Sequence, residues 1–238
     1  MITQYNLTQK GVTQETVTQK RTNRITISEQ FPHPLIYAWY DAANCIVDES
    51  GYVSQMTDKK GTNDAVQTTQ VNKPLQVLNE LNGTPVLRFA GNQWLKKQFP
   101  AEISQPVTVF AVWKVTTAGP YRFCFDNYST RYFSLYSTNS VIETYTSSYF
   151  NYSKTSPFNY ILNAVVFNTI SSALYENGVL MASGNVGTNT LNGLSIGNSY
   201  QGSYPLIGDI AEIIIFDSLL SDLYRTTVES YLMTKYAL

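Results

Sequence analysis

Apolar positions in this chain come in short runs separated by Gly, Asn, Asp or Pro. Leu35 to Trp39, Val86 to Phe89, Val107 to Val115, Tyr121 to Phe125, Tyr132 to Tyr136, Tyr160 to Phe167, Ala173 to Tyr175, Leu194 to Ile196 and Ile210 to Phe216 each read as a β-strand, rich in β-branched and aromatic residues. Between two of these runs, Glu176-Asn177-Gly178 is a hairpin signal, because Asn-Gly accepts the positive φ values of a type I′ turn. Asn82-Gly83-Thr84-Pro85 marks another turn. Many short strands divided by turn signals predict a sandwich or jelly roll and not a βαβ sheet.

The tail changes period. Leu223, Tyr224, Thr227, Val228, Tyr231, Leu232 and Lys235 recur at three- and four-residue steps, which predicts one amphipathic helix packed on the sandwich. Ser221 is placed to cap it and Asp222 to favour its first turn electrostatically.

The head follows neither period. Ile2-Thr3-Gln4, Leu7-Thr8-Gln9, Val12-Thr13-Gln14 and Val17-Thr18-Gln19 repeat in steps of five, which fits neither one strand face nor one helix face. Four such units are too few for a self-standing solenoid. Residues 1–34 therefore read as an extended arm that docks through Ile2, Leu7, Val12 and Val17 onto a partner or onto copies of itself, which implies a homo-oligomer. Phe31-Pro32-His33-Pro34 ends the arm, since two prolines restrict their neighbours to extended backbone.

Composition narrows the function. Charged residues make up 14% of the 238 and the net charge is −1, so no basic surface for nucleic acid or anionic lipid is expected. The 18 tyrosines, beside abundant Thr, Asn and Ser, suit strands and wet interfaces. Neither a basic leader with an apolar run nor an 18-residue apolar stretch is visible, so neither signal-directed export nor membrane insertion is expected. Cys45 and Cys124 are expected as free thiols.

The segment Gly208-Asp209-Ile210-Ala211-Glu212-Ile213-Ile214-Ile215-Phe216-Asp217, then Leu220-Ser221-Asp222 and Tyr231-Leu232-Met233-Thr234-Lys235-Tyr236, resembles the last strand and closing helix of laminin-G-like, concanavalin A-like domains. Ala38-Trp39-Tyr40-Asp41-Ala42, Asp58-Lys59-Lys60-Gly61-Thr62-Asn63-Asp64 and Pro85-Val86-Leu87-Arg88-Phe89-Ala90-Gly91 look like the family's opening strands, with Val107 to Val112 as a core strand. The resemblance spans residues 35–238. It implies a concanavalin A-like jelly-roll β-sandwich with a C-terminal α-helix, in a family whose members bind glycans or proteins, often at bacterial and bacteriophage surfaces.

Candidate chemistry is sparse. The retaining glycosidases of this fold carry a Glu-x-Asp-x-x-Glu run, which this chain lacks. Asp209 and Glu212 are three residues apart, which on a regular strand points them to opposite faces and makes Glu212 structural or a rim residue. His33, the single histidine, supports no triad and no zinc site. No catalytic residue is assigned. Asp58, Asn63 and Asp64 form an oxygen-rich loop that could take calcium, as could Asp126 with Asn127, although Asx turns give the same pattern. No other cofactor is expected. Sugar binding needs aromatic faces beside polar groups, and Tyr145, Tyr149, Tyr152, Tyr200 and Tyr204 offer them; strand faces or a subunit interface are the alternative uses. Trp39, Trp94 and Trp113 are expected in the core.

These observations together point to a non-enzymatic virion surface protein of decoration or fibre type. The arm would anchor it to capsid or tail proteins and the sandwich would face outward, with host glycan adhesion as one use. The alternative is an extracellular, free carbohydrate-binding module or a glycoside hydrolase of concanavalin A-like fold.

Overall fold

The computed structural model describes residues 36–117, 119–137, 140–154 and 159–238, with 133–137 described by their backbone. Residues 1–34, and with them Ile2, Leu7, Val12 and Val17, lie outside the described residues. The domain is an all-β sandwich with one C-terminal helix. Its strands are β1 Ile36–Val47, β2 Val53–Asp58, β3 Ala65–Val66, β4 Leu75–Leu81, β5 Thr84–Ala90, β6 Leu95–Ile103, β7 Val107–Val115, β8 Tyr121–Asp126, β9 Phe133–Ser137, β10 Val141–Tyr145, β11 Tyr149–Ser153, β12 Ile161–Phe167, β13 Ser172–Glu176, β14 Val179–Gly184, β15 Leu191–Ile196 and β16 Ile207–Phe216, followed by α1 Asp222–Tyr236.

The strands form one hydrogen-bonded path, β11-β10-β9-β8-β15-β6-β3-β2-β1-β16-β7-β12-β13-β14, with β5 also on β16 and β4 on β5. The path doubles back into two layers around one core. Val109, Trp113, Ile213 and Ile215 from one half pack in the same buried cluster as Cys124, Ile142, Leu194 and Ile196 from the other. β7, β12 and β16 are buried on both faces, because α1 covers the outer side of that layer. This is why those three read as near-continuous apolar runs.

The turns follow local chemistry. Asn177 and Gly178 adopt φ values of 48° and 81°, and Asn82 and Gly83 adopt 48° and 74°. Each pair closes a two-residue hairpin whose twist requires left-handed backbone at both positions.

The helix exists where the period predicts it, but with a shifted face. Its buried stripe is Arg225, Val228, Glu229, Leu232 and Tyr236, while Leu223 and Tyr224 are exposed. Two charged side chains occupy that stripe as an ion pair. Arg225 donates two 2.7 Å hydrogen bonds to Glu229 and lies 3.8 Å from the ring centre of Tyr175. Ser221 caps the helix, accepting from the N–H of Tyr224 at 3.4 Å.

The expectation for Asp209 and Glu212 is corrected. The register of β16 against β7 shifts between Ile210 and Glu212, a bulge that resets the alternation. Asp209 pairs opposite Lys114 and Glu212 opposite Val112, so both carboxylates lie on the outer, helix-side face. Glu212 is fully buried, not on the rim. It accepts from Trp39 Nε1 at 2.5 Å, Lys235 Nζ at 2.6 Å and the Tyr236 hydroxyl at 2.6 Å. Of the three tryptophans, Trp39 and Trp113 are buried and Trp94 is half-buried. Cys45 and Cys124 are unpaired thiols.

Candidate functional site

On the outer face of the β8–β11 region lies a cavity of about 380 Å³, lined by Tyr121, Phe123, Arg131, Glu143, Tyr145, Tyr149 and Tyr204. Strand geometry explains its floor. The register of β8 against β9 shifts between Phe123 and Phe125, so Cys124 and Phe125 both enter the core while Tyr121 and Phe123 face outward. On β10, Ile142 and Thr144 are buried, which leaves Glu143 and Tyr145 on the opposite face. Tyr145 sits directly across from Tyr149 on β11.

The wall comes from two loops. Tyr204, in the loop before β16, stacks on Phe123 with ring centres 5.8 Å apart and meets Tyr121 edge-on at 5.0 Å. Its N–H donates to Asn198 Oδ1 at 3.1 Å. Arg131 projects from the β8–β9 loop.

A buried carboxylate holds both loops. Asp126, at the end of β8, accepts from the N–H groups of Asn127 at 2.8 Å, Tyr132 at 2.9 Å and Tyr200 at 2.9 Å. Burial pushes its carboxyl up to about 6, opposed by those three amides and by Arg131. Lys96, on β6, ties the second loop again by donating to the Tyr200 carbonyl at 2.8 Å. Burial likewise raises Glu143, with Arg131 opposing.

The candidate tyrosines separate. Tyr145, Tyr149 and Tyr204 meet at the cavity. Tyr152 is a core residue instead, because strand alternation turns it inward opposite Ile142, where its hydroxyl donates to Glu176. Tyr200 serves the loop through its backbone and does not line the cavity. Tyr121, Phe123, Arg131 and Glu143 are lining residues that the sequence reading passed over. The available signal was the two-residue spacing of Tyr121 with Phe123 and of Glu143 with Tyr145, each placing its pair on one strand face.

The two oxygen-rich loops are bound up in backbone contacts. Asp58 accepts from the N–H groups of Trp39, Lys60, Thr62 and Asn63 at 2.8 to 3.2 Å, and Asp64 accepts from the Asp58 N–H at 2.9 Å and Gln55 Nε2 at 2.8 Å. That is Asx-turn chemistry tying the turn to β1. Asp126 and Asn127 act in the same way.

No family model and no curated protein sequence matches the chain. Solved structures do. Trypanosoma rangeli sialidase in complex with sialic acid aligns with a TM-score of 0.64 at 10% identity, over 86% of this chain and 34% of that one. The botulinum neurotoxin serotype D ligand-binding domain, in complex with N-acetylneuraminic acid, aligns at 0.60 and 12% identity, over 84% of this chain and 52% of that one. Domain 4 of AbnA, a GH43 extracellular arabinanase from Geobacillus stearothermophilus, in complex with arabinotriose, aligns at 0.57 and 14% identity, over 82% of this chain and 98% of that domain. The shared feature is the β-sandwich fold. This chain spans about a third of the sialidase's length.

The comparison overturns one expectation. The chain reads from its sequence as non-enzymatic, yet its structural neighbours include a sialidase and a domain of an arabinanase.

Proposed function

We propose that the sandwich is a carbohydrate-binding domain whose binding site is the tyrosine-lined cavity. The observation that carries this reading is the convergence of Tyr121, Phe123, Tyr145, Tyr149 and Tyr204 with one carboxylate and one guanidinium at a single concave site. Aromatic faces cover the apolar faces of sugar rings, and a few polar groups orient the hydroxyls. The carbohydrate complexes of the sialidase, neurotoxin and arabinanase domains support the reading.

The wider role we propose is display at the surface of a virion, with residues 1–34 anchoring the domain to capsid or tail proteins through the repeated Ile2, Leu7, Val12 and Val17 contacts. The pentad repeat supports it, since several weak contacts on one tether add into firm attachment.

A glycan array probed with the full-length protein and with Tyr204→Ala tests the binding reading. Binding by the parent and at least about a tenfold loss in the variant is expected for one removed stacking face. A parent that binds no glycan, or a variant that binds as well as the parent, overturns it.

A further inference from the structure

Arg131 and Glu143 are the two charged residues of the cavity lining. Among the described residues, no hydrogen bond or ion pair engages either charged group, although Arg131 opposes the upward shift that burial gives Glu143. Glu143 is half-buried and Arg131 is exposed; a partly desolvated carboxylate is costly without a partner, and charge-assisted bonds are the strong ones. Here no such pair forms, and both groups line the same cavity as the tyrosine rings.

We infer that the cavity selects a zwitterionic sugar unit, one bearing a cationic amine and, elsewhere on the ring, a carboxylate or phosphate. The inference rests on the carbohydrate-binding reading and names the ligand class of that same site. Glu143 shares a strand face with Tyr145, which stands opposite Tyr149, so a cation placed there meets a carboxylate and two π-systems together. Arg131 offers the planar fork that matches a carboxylate or phosphate. A purely anionic ligand would face Glu143 unpaired, and a purely cationic one would face Arg131 unpaired. A zwitterion satisfies both, and with a carboxylate as its anion it leaves the site with no net charge.

Calorimetric titration of the full-length protein at neutral pH with glucosamine 6-phosphate, muramic acid, glucosamine, glucose 6-phosphate and glucose separates the contributions. Muramic acid and glucosamine 6-phosphate distinguish a carboxylate from a phosphate as the anion. At least one of them should bind about tenfold or more tighter than glucose, the gain expected from one cation–π contact and one charge-assisted pair. Glu143→Gln should remove the preference for amine over hydroxyl, and Arg131→Gln the preference for the anion. Both are outer-face positions whose integrity a thermal melt confirms.

Equal affinity across the five probes overturns the inference and leaves carbohydrate binding standing. A zwitterion preference that survives in both variants overturns its assignment to this cavity. Failure of these probes and of every glycan on the array overturns the carbohydrate-binding reading itself.

Discussion

The carboxylate of Asp126 accepts a 2.9 Å hydrogen bond from the backbone N–H of Tyr200, joining the end of β8 to a loop 74 residues later in the chain. The same carboxylate holds the Tyr132 N–H, next to Arg131. One buried group therefore positions both loops that wall the cavity. Asp126→Asn replaces an oxygen acceptor by an amide donor and sets one of these N–H groups against another donor. Faster hydrogen exchange at Tyr200 or Tyr132 is expected, with β12 and β16 unchanged, and unchanged exchange at both loop amides would refute the role.

Asp126 also makes stability depend on pH in a definite direction. Its folded value is about 6 against 3.8 when solvated, so the folded state takes up the proton first. Its contribution is therefore greatest below about pH 4, and is lost as pH rises through about 6. The stability of the parent relative to Asp126→Asn should fall across that window by roughly 2 kcal/mol. Urea melts at several pH values measure it, and a flat or rising difference contradicts the assignment.

Lys235 bridges two buried carboxylates, at 2.8 Å from Asp41 Oδ2 and 2.6 Å from Glu212 Oε2. Burial works against ionised Asp41, but Lys235, the Ala43 N–H and Lys59 together hold it below the usual carboxylate range. Burial raises Glu212, with Lys235 opposing. Lys235→Met leaves both acids without this cation and should destabilise the fold by about 3–5 kcal/mol. Charge removal and lost helix packing are separated by Glu212→Gln/Lys235→Met, which should recover part of the loss in a chemical melt.

Gly197 opens the loop that carries Tyr204, and it does so at φ +78° with the Phe89 ring where a side chain would be. An added Cβ would meet Phe89 Cε1 at 2.2 Å. Phe89 is itself buried in the core, so it has little room to yield. Gly197→Ala should cost roughly 3 kcal/mol from combined backbone strain and overpacking. An unchanged denaturation midpoint would contradict this geometry.

Deleting residues 1–30 should leave a folded sandwich with an undiminished melting transition. On the anchoring proposal, light scattering should show the truncated protein as a monomer and particle-binding assays should show no attachment, while the full-length protein associates. Equal association of both forms removes the arm from the proposal.

Much of the fold was legible in the sequence because its determinants are local. Asn177-Gly178 and Asn82-Gly83 demand their turns by backbone sterics alone. The apolar runs at Val107 to Val115 and Ile210 to Phe216 announce strands buried on both faces, and Ser221 announces a cap. The weakly patterned strands were harder to see. β4, with Asn79 and Glu80 exposed, and β6, with Lys96, Lys97 and Gln98, carry polar residues that their outer faces tolerate.

The sequence by itself determined the all-β class, the closing helix and an aromatic supply that includes Tyr145, Tyr149 and Tyr204. Periodicity and turn chemistry act over a few residues, so they can be read without a fold. Only the tertiary structure decided which tyrosines meet. Tyr152 went into the core and Tyr204 came to stack on Phe123, partners 81 residues apart. Two bulges, at Cys124 and before Glu212, reversed side-chain parity at the positions that matter most. A one-residue register shift swaps strand faces, and register is set by pairing with distant strands and by burial of the core, neither of which a local pattern contains.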